Sequence, residues 1–172
     1  MGDMHSLDAP PLVLEPLTAA DAAALFEVLS DPQIYRHLDE APPASVDALR
    51  ARYLRLEARR SPDGAQRWLN WTVRLPGQPP MGYVQATVVA PDRAWVAYVL
   101  GRPHWGRGHA HTAMRAVLDH LASHYGVARF LATVEAANLR SIRLLERLGF
   151  GVAAPVEAAS HALTASERLY LR

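Results

Sequence analysis

Near the middle of the chain, Gly101-Arg102-Pro103-His104-Trp105-Gly106-Arg107-Gly108 gathers glycine, arginine and histidine into one loop, and the stretch after it has a helical pattern. Ala110, Ala113, Met114, Val117, Leu118, Leu121, Ala122 and Tyr125 recur at i, i+3 and i+4, the spacing of one helix face. A glycine loop opening a helix is an anion site in outline. The first helical amides have no intrahelical partner, and the helix dipole adds partial positive charge there. Gly106 and Gly108 allow positive φ and close backbone approach. With Arg102 and Arg107 nearby, the loop suits a pyrophosphate. It is neither the three-glycine dinucleotide fingerprint nor a P-loop, which needs Lys-Ser/Thr after its last glycine. The bland alternative is a tight strand-to-helix turn with its arginines in solvent.

The flanking elements must aim this loop. Residues 12–17 read as a first strand. Thr18-Ala19-Ala20-Asp21 then resembles a capping box before a helix with Ala22, Leu25, Phe26 and Leu29 on one face. Asp31-Pro32 ends that helix, and a loop over 33–43 follows. Ser45 can cap a second helix carrying Val46, Leu49, Tyr53 and Leu56 inward and arginines outward. Residues 68–75 and 81–90 read as a hairpin through Pro76-Gly77, and 95–100 as the next strand. After the glycine loop and its helix, Gly126 is placed to stop the helix, and 129–134 reads as a strand. Asn138 opens a last helix with Ile142, Leu145 and Leu148 inward, ended by Gly149 with Phe150 behind it. One or two strands should close the chain, 167–171 the better candidate. This order predicts an α/β (α+β) fold, with helices on both faces of a mixed, twisted sheet.

The totals bound the function. The 172 residues suit a single domain over 1–172, with 1–11 expected as a flexible N-terminal tail. Half the residues are hydrophobic and a fifth charged, enough for a core without staples. Net charge is +1, and the basic total is carried by arginine, so there is no electrostatic case for nucleic acid or an acidic membrane. The chain has no cysteine, which excludes a thiol nucleophile and a Cys-based zinc site. No signal peptide or membrane-length apolar run is visible, so the expected compartment is the cytoplasm.

Two segments together carry a resemblance. Tyr98-Val99-Leu100, followed by His104-Trp105-Gly106-Arg107-Gly108-His109-Ala110, resembles the acetyl-CoA motif of the GNAT acetyltransferase superfamily. The run Asn138-Leu139-Arg140-Ser141-Ile142-Arg143-Leu144-Leu145-Glu146-Arg147-Leu148-Gly149-Phe150 resembles that family's later motif, at the matching distance of one helix plus one strand. The tryptophan-glycine and Asn-x-x-Ser forms are most similar to the branch that acetylates ribosomal-protein N-termini (alanine/serine). The resemblance covers nearly the whole chain.

It implies a GNAT-like sheet of about six to seven strands and acetyl-CoA as cosubstrate. It also implies direct acetyl transfer to a primary amine, of a protein N-terminus or a small molecule. The strand at Val99 and Leu100 would splay from its parallel neighbour and bond the pantetheine arm. Amides from Gly106 to Ala110 would hold the pyrophosphate, beside Arg102, His104, Trp105, Arg107 and His109. Asn138 would meet the pantetheine, Ser141 the sulfur, and Arg143 the adenosine end. Many relatives place a tyrosine acid where this chain has Leu145, so Ser141 becomes the candidate leaving-group acid. A strand-opening glutamate common in the family is replaced by Ala94 or Trp95, leaving the base open among Glu135, Glu157, His37 and a water relay. Acceptor specificity is expected from 33–43 and the second helix, through Tyr35, Arg36 and His37, and from Trp71. The competing class is a GNAT-like module that binds acyl-CoA without transfer.

His120 and His124 stand four apart on one helix and raise the question of a metal. They lie off the apolar stripe and read as a solvated face, so no metal is expected. The expected partners are acetyl-CoA and an amine, with a homodimer allowed.

Overall fold

The computed structural model describes residues 4–172, in which a single eight-stranded sheet runs in the order β1-β2-β3-β4-β5-β6-β8-β7. The strands are β1 (Leu7–Ala9), β2 (Leu12–Pro16), β3 (Gln66–Arg74), β4 (Gly82–Val89), β5 (Arg93–Leu100), β6 (Arg129–Glu135), β7 (Gly151–Val152) and β8 (Glu167–Leu171). The helices are α1 (Ala22–Leu29), α2 (Val46–Leu56), α3 (His109–Tyr125), α4 (Leu139–Arg147) and the single turn α5 (Pro155–Ala158). Every seam is antiparallel except β5–β6, which α3 connects as a crossover.

Alternation along the strands sends side chains into two cores. Leu69, Trp71 and Val73, with Val84, Ala86, Ala94 and Val96, face the buried stripe of α3: Ala113, Met114, Val117, Leu118 and Leu121. Leu144, Leu145 and Leu148 extend this core. On the other face Leu17 and the buried residues of α1 and α2, among them Leu25, Leu29, Leu49 and Tyr53, close over Tyr83 and Val99. The helices thus cover both faces, as the pattern predicted. Truncating fully buried Leu118 to alanine would cost about 2–5 kcal/mol.

Local signals hold at the helix ends. Ser45 Oγ accepts from the Ala48 amide at 3.0 Å, and Gly126 and Gly149 end their helices with φ of 66° and 86°. Three expectations change. The sheet has eight strands because two short edge strands, β1 and β7, flank the ones that alternation reveals. Residues 4–11, assigned to a flexible tail, include β1, and Met4 packs on the main core; residues 1–3 lie outside the described part of that call. His120, assigned to a solvated face, is buried.

Candidate active site

β5 and β6 pair only at Arg93↔Arg129, Ala94↔Phe130 and Trp95↔Leu131, yet both strands run on, to Leu100 and Glu135. They therefore diverge into a wedge. On its other side β5 stays in register with β4 as far as Gly82↔Leu100. The Gly101 amide donates to the Met81 carbonyl at 2.8 Å, which fixes the alternation. Peptide groups of Ala97 and Val99 turn to β4, and those of Tyr98 and Leu100 turn to the gap. This corrects one expectation: Leu100, with Tyr98, offers a backbone edge, whereas Val99 lines the cleft but spends its peptide group on β4. Gly82 makes the close β4–β5 approach possible. A Cβ there would lie 2.1 Å from the Val99 carbonyl oxygen.

The wedge opens onto the glycine loop. Arg102–His104 forms a 3-10 turn, and Trp105 Nε1 donates to the Leu100 carbonyl at 2.7 Å. The Arg140 guanidinium stacks 3.5 Å from the centre of the Trp105 ring, tying the loop to α4. Gly106 and Gly108 have φ of 72° and 81°. Gly108 precedes α3 with no side-chain cap, so the amides of the first turn stay available. A Cβ on either glycine would meet no atom of the described residues within 4 Å, so the loop has room above it for a ligand.

At the start of α4 the Ser141 amide donates to Asn138 Oδ1 at 3.2 Å. That leaves the Ser141 hydroxyl free of capping, and it lies 2.6 Å from the Tyr98 hydroxyl. Burial raises the Tyr98 pKa above its ordinary value, opposed by the bond to Ser141 and by Arg140 and Arg147. Tyr98 is therefore a neutral phenol at physiological pH.

The resulting cleft, about 480 Å³, is lined by Val99, Leu100, His104, Trp105, Gly106, Gly108, His109, Ala110, Asn138, Ser141, Glu135 and His37 among the sequence-predicted residues. Tyr98, Arg140 and Arg147, which the two motifs contain without an assigned role, line it too, as does Glu167, which no sequence signal marks as a site residue. Tyr98 could have been found by strand parity, since it shares an inward phase with Val96 and Leu100. Glu167 stands opposite Glu135 in the β6–β8 register, so two carboxylates share one rim; Glu167 accepts from the Thr164 amide at 2.9 Å. Burial, then His109 and Arg107, lowers the His104 pKa below its ordinary value.

The remaining predicted residues fall elsewhere. Trp71 is 0 % exposed in the α3-side core, its Nε1 donating to the His5 carbonyl at 3.2 Å, so it contacts no acceptor. Trp68 and Trp71 stand three apart in β3 and so face opposite sides of the sheet, and Trp71 is the one turned into the core. Glu157 pairs with Arg129, at the opposite end of β6 from Glu135, and is outside the cleft. The turn α5 after β7 carries it there. Arg102 pairs with Asp31 at 3.1 Å, and Arg36, Arg107 and Arg143 are exposed and do not line the cleft. Tyr35 donates to the Leu29 carbonyl at 2.8 Å and lines a second cavity of about 230 Å³ under α1 and α2. That cavity shares Glu40, Tyr83 and Gln85 with the cleft. Into its walls come Tyr53, whose buried hydroxyl has no partner among the described residues, and Asn70, 4 % exposed. Burial raises the pKa of both Tyr53 and Tyr83, so the walls are neutral hydroxyls with Glu40 and Arg52 at the rim.

Comparison with known proteins matches residues 11–151 to the family model described as acetyltransferase (GNAT) domain. An uncharacterized N-acetyltransferase, p20, of Bacillus licheniformis is 28% identical over 149 residues, covering 86% of this chain and 83% of that protein. The structure of RimL, a ribosomal L7/L12 alpha-N-protein acetyltransferase in complex with coenzyme A, superposes with a TM-score of 0.81 at 18% identity, covering 98% of this chain and 97% of the other. Spermidine N-acetyltransferase from Vibrio cholerae, in complex with CoA and spermine, gives 0.75 at 18% identity over 94% and 95% of the two chains.

Proposed function

This chain belongs to the GNAT acetyltransferase family, and we propose that it moves the acetyl group of acetyl-CoA directly to a primary amine of a protein N-terminus or a small molecule. The observation that carries this reading is the β5–β6 wedge, with the Tyr98–Ser141 hydrogen bond at its wall and the uncapped start of α3 at its mouth. The residues fit acetyl-CoA. The free amides beyond Gly108 suit a pyrophosphate, Arg140 and Arg147 add positive charge, and the Tyr98–Leu100 edge suits an amide-bearing arm. Asn138 keeps its side-chain NH₂ for that arm, since its oxygen is used in the cap.

Bound acetyl-CoA supplies a thioester for the amine to attack, with the coenzyme thiolate as leaving group. The inward amides of Tyr98 and Leu100 are the chain's donors for charge growing on the carbonyl oxygen. Ser141 holds a proton for the departing sulfur, and Tyr98 can restore it through their shared hydrogen bond. Glu135, on the rim beside Glu167, takes the proton the amine must lose. The cavity under α1 and α2, with Tyr35 on its wall and His37 at the adjoining cleft, is the acceptor side. Within the family we place the chain nearest the ribosomal-protein N-terminal branch, on Trp105-Gly106 and the Asn138-x-x-Ser141 spacing; the fold-level likeness to RimL is compatible with that.

The test is an acetyl-transfer screen over peptides with free N-termini and small amines, polyamines included, read by mass spectrometry. Transfer to at least one class is expected. Coenzyme A binding with no transfer to any amine would instead support the binding-module reading.

A further inference from the structure

α3 leaves the cleft and, in its last turns, runs beside the N-terminal segment. His120 and His124, four residues apart, point the same way there. Their ring centroids are 4.4 Å apart, and a third imidazole, His5, stands 4.9 Å from His120 and 5.8 Å from His124. One ring nitrogen from each of the three lies within 4.8 Å of the others.

Two observations separate this cluster from a chance meeting of surface side chains. The first is His120 itself, 7 % exposed, walled by Trp71 and Tyr125, with a buried Nε2 that has no hydrogen-bond partner among the described residues. An orphaned buried nitrogen is costly unless something occupies its lone pair. The second is how His5 is held. Its carbonyl accepts from the Trp71 indole, and β1 begins two residues later, so its backbone position is set by the fold.

We propose that His5, His120 and His124 form a three-imidazole site for a divalent transition-metal ion of the zinc class, which clips the N-terminal segment to α3. Imidazole nitrogens suit Zn²⁺, Ni²⁺ and Cu²⁺, whereas Mg²⁺ and Ca²⁺ need oxygen donors. A tetrahedral zinc with nitrogens at about 2.0–2.1 Å spaces its ligands about 3.3 Å apart. His5 and His124 are exposed and can rotate inward by that difference, while the packed His120 stays in place. Water would complete the coordination. The site is separate from acetyl transfer: His120 lies eleven residues beyond His109, about 17 Å along α3. It joins positions 115 apart in the chain, so the ion acts as a cross-link, stabilising the fold through binding.

The test uses the full-length, untagged protein stripped with chelator. Calorimetric titration with Zn²⁺ should give one ion per chain, and the melting temperature should climb with zinc concentration but not with Mg²⁺. Co²⁺ substitution should give the visible absorption of a low-coordinate site. His5→Asn and His124→Asn change exposed side chains, so each should melt like the parent in chelator while binding zinc at least ~10-fold more weakly. His161→Asn, away from the cluster, should bind like the parent. CoA affinity should be the same with and without zinc. Unchanged zinc affinity in the His5→Asn/His124→Asn double variant, or no zinc-dependent rise in melting temperature, would overturn the proposal.

Discussion

Two helices, α3 and α4, begin at the cleft, and they begin differently. α4 satisfies its first turn internally: the Asn138 side chain accepts from the Ser141 amide. α3 starts from Gly108 in a left-handed conformation with no side-chain cap, and its first internal bond is Thr112 N to the Gly108 carbonyl at 3.0 Å. A capped terminus is stable by itself and frees its side chains for work, which lets Ser141 Oγ engage Tyr98. A bare terminus forgoes that stability and keeps its donors for a ligand. On the proposed function, the α3 start is a binding device made of backbone, and the α4 start a chemical device made of side chains.

Substitutions can break this contrast from either side. Gly108→Trp should be the most severe, lowering CoA affinity ~100-fold or more by calorimetry, because the indole fills the phosphate path. Gly108→Ala separates bulk from backbone: φ of 81° should cost it ~1–2 kcal/mol in denaturant melts, with a much smaller loss of affinity. Unchanged CoA affinity in a folded Gly108→Trp protein would remove the phosphate site from this loop. Ser141→Ala should lower kcat ~100-fold while sparing CoA affinity and melting temperature. Tyr98→Phe should follow it in the same direction, because it removes the other half of the hydrogen bond. A Ser141→Ala enzyme that melts early and turns over normally would make Ser141 structural. Asn138→Ala should cost ~1 kcal/mol of stability through loss of the cap and weaken CoA binding only modestly. The smallest effect concerns His104, whose pKa is lowered in the free protein. A bound pyrophosphate would raise it, so CoA binding near pH 6 should take up a fraction of a proton. Calorimetry in buffers of differing ionisation enthalpy measures this, and proton release would contradict it.

What could be read in advance follows the range of the interactions. The α3 stripe, the Gly149 stop and the Asn138 start are local patterns, and all appear at their expected places. The glycine loop was legible for the same reason. Strand parity is ambiguous when both faces are buried, and so Trp71 was assigned to the acceptor side although it packs beneath α3. Glu157 was misplaced because the two-residue β7 and the turn α5 leave almost no periodic trace. The Tyr98–Ser141 bond spans 43 positions, and His5 meets His120 only through the N-terminal strand hidden in an apparent tail. Such contacts depend on sheet order, which no local spacing encodes.

The separation of β5 from β6 also bears on which mutations this site can absorb. A peptide group is chemically the same whatever side chain it carries. The edge presented by Tyr98 and Leu100 therefore needs a backbone path more than particular residues. Leu100 answers to the packing around it, and any apolar residue of similar volume there would keep the edge intact. The path itself hangs on Gly82, where a methyl group would run into the Val99 carbonyl. Inheritance should accordingly be permissive at Leu100, which lines the cleft, and strict at Gly82, a position that does not.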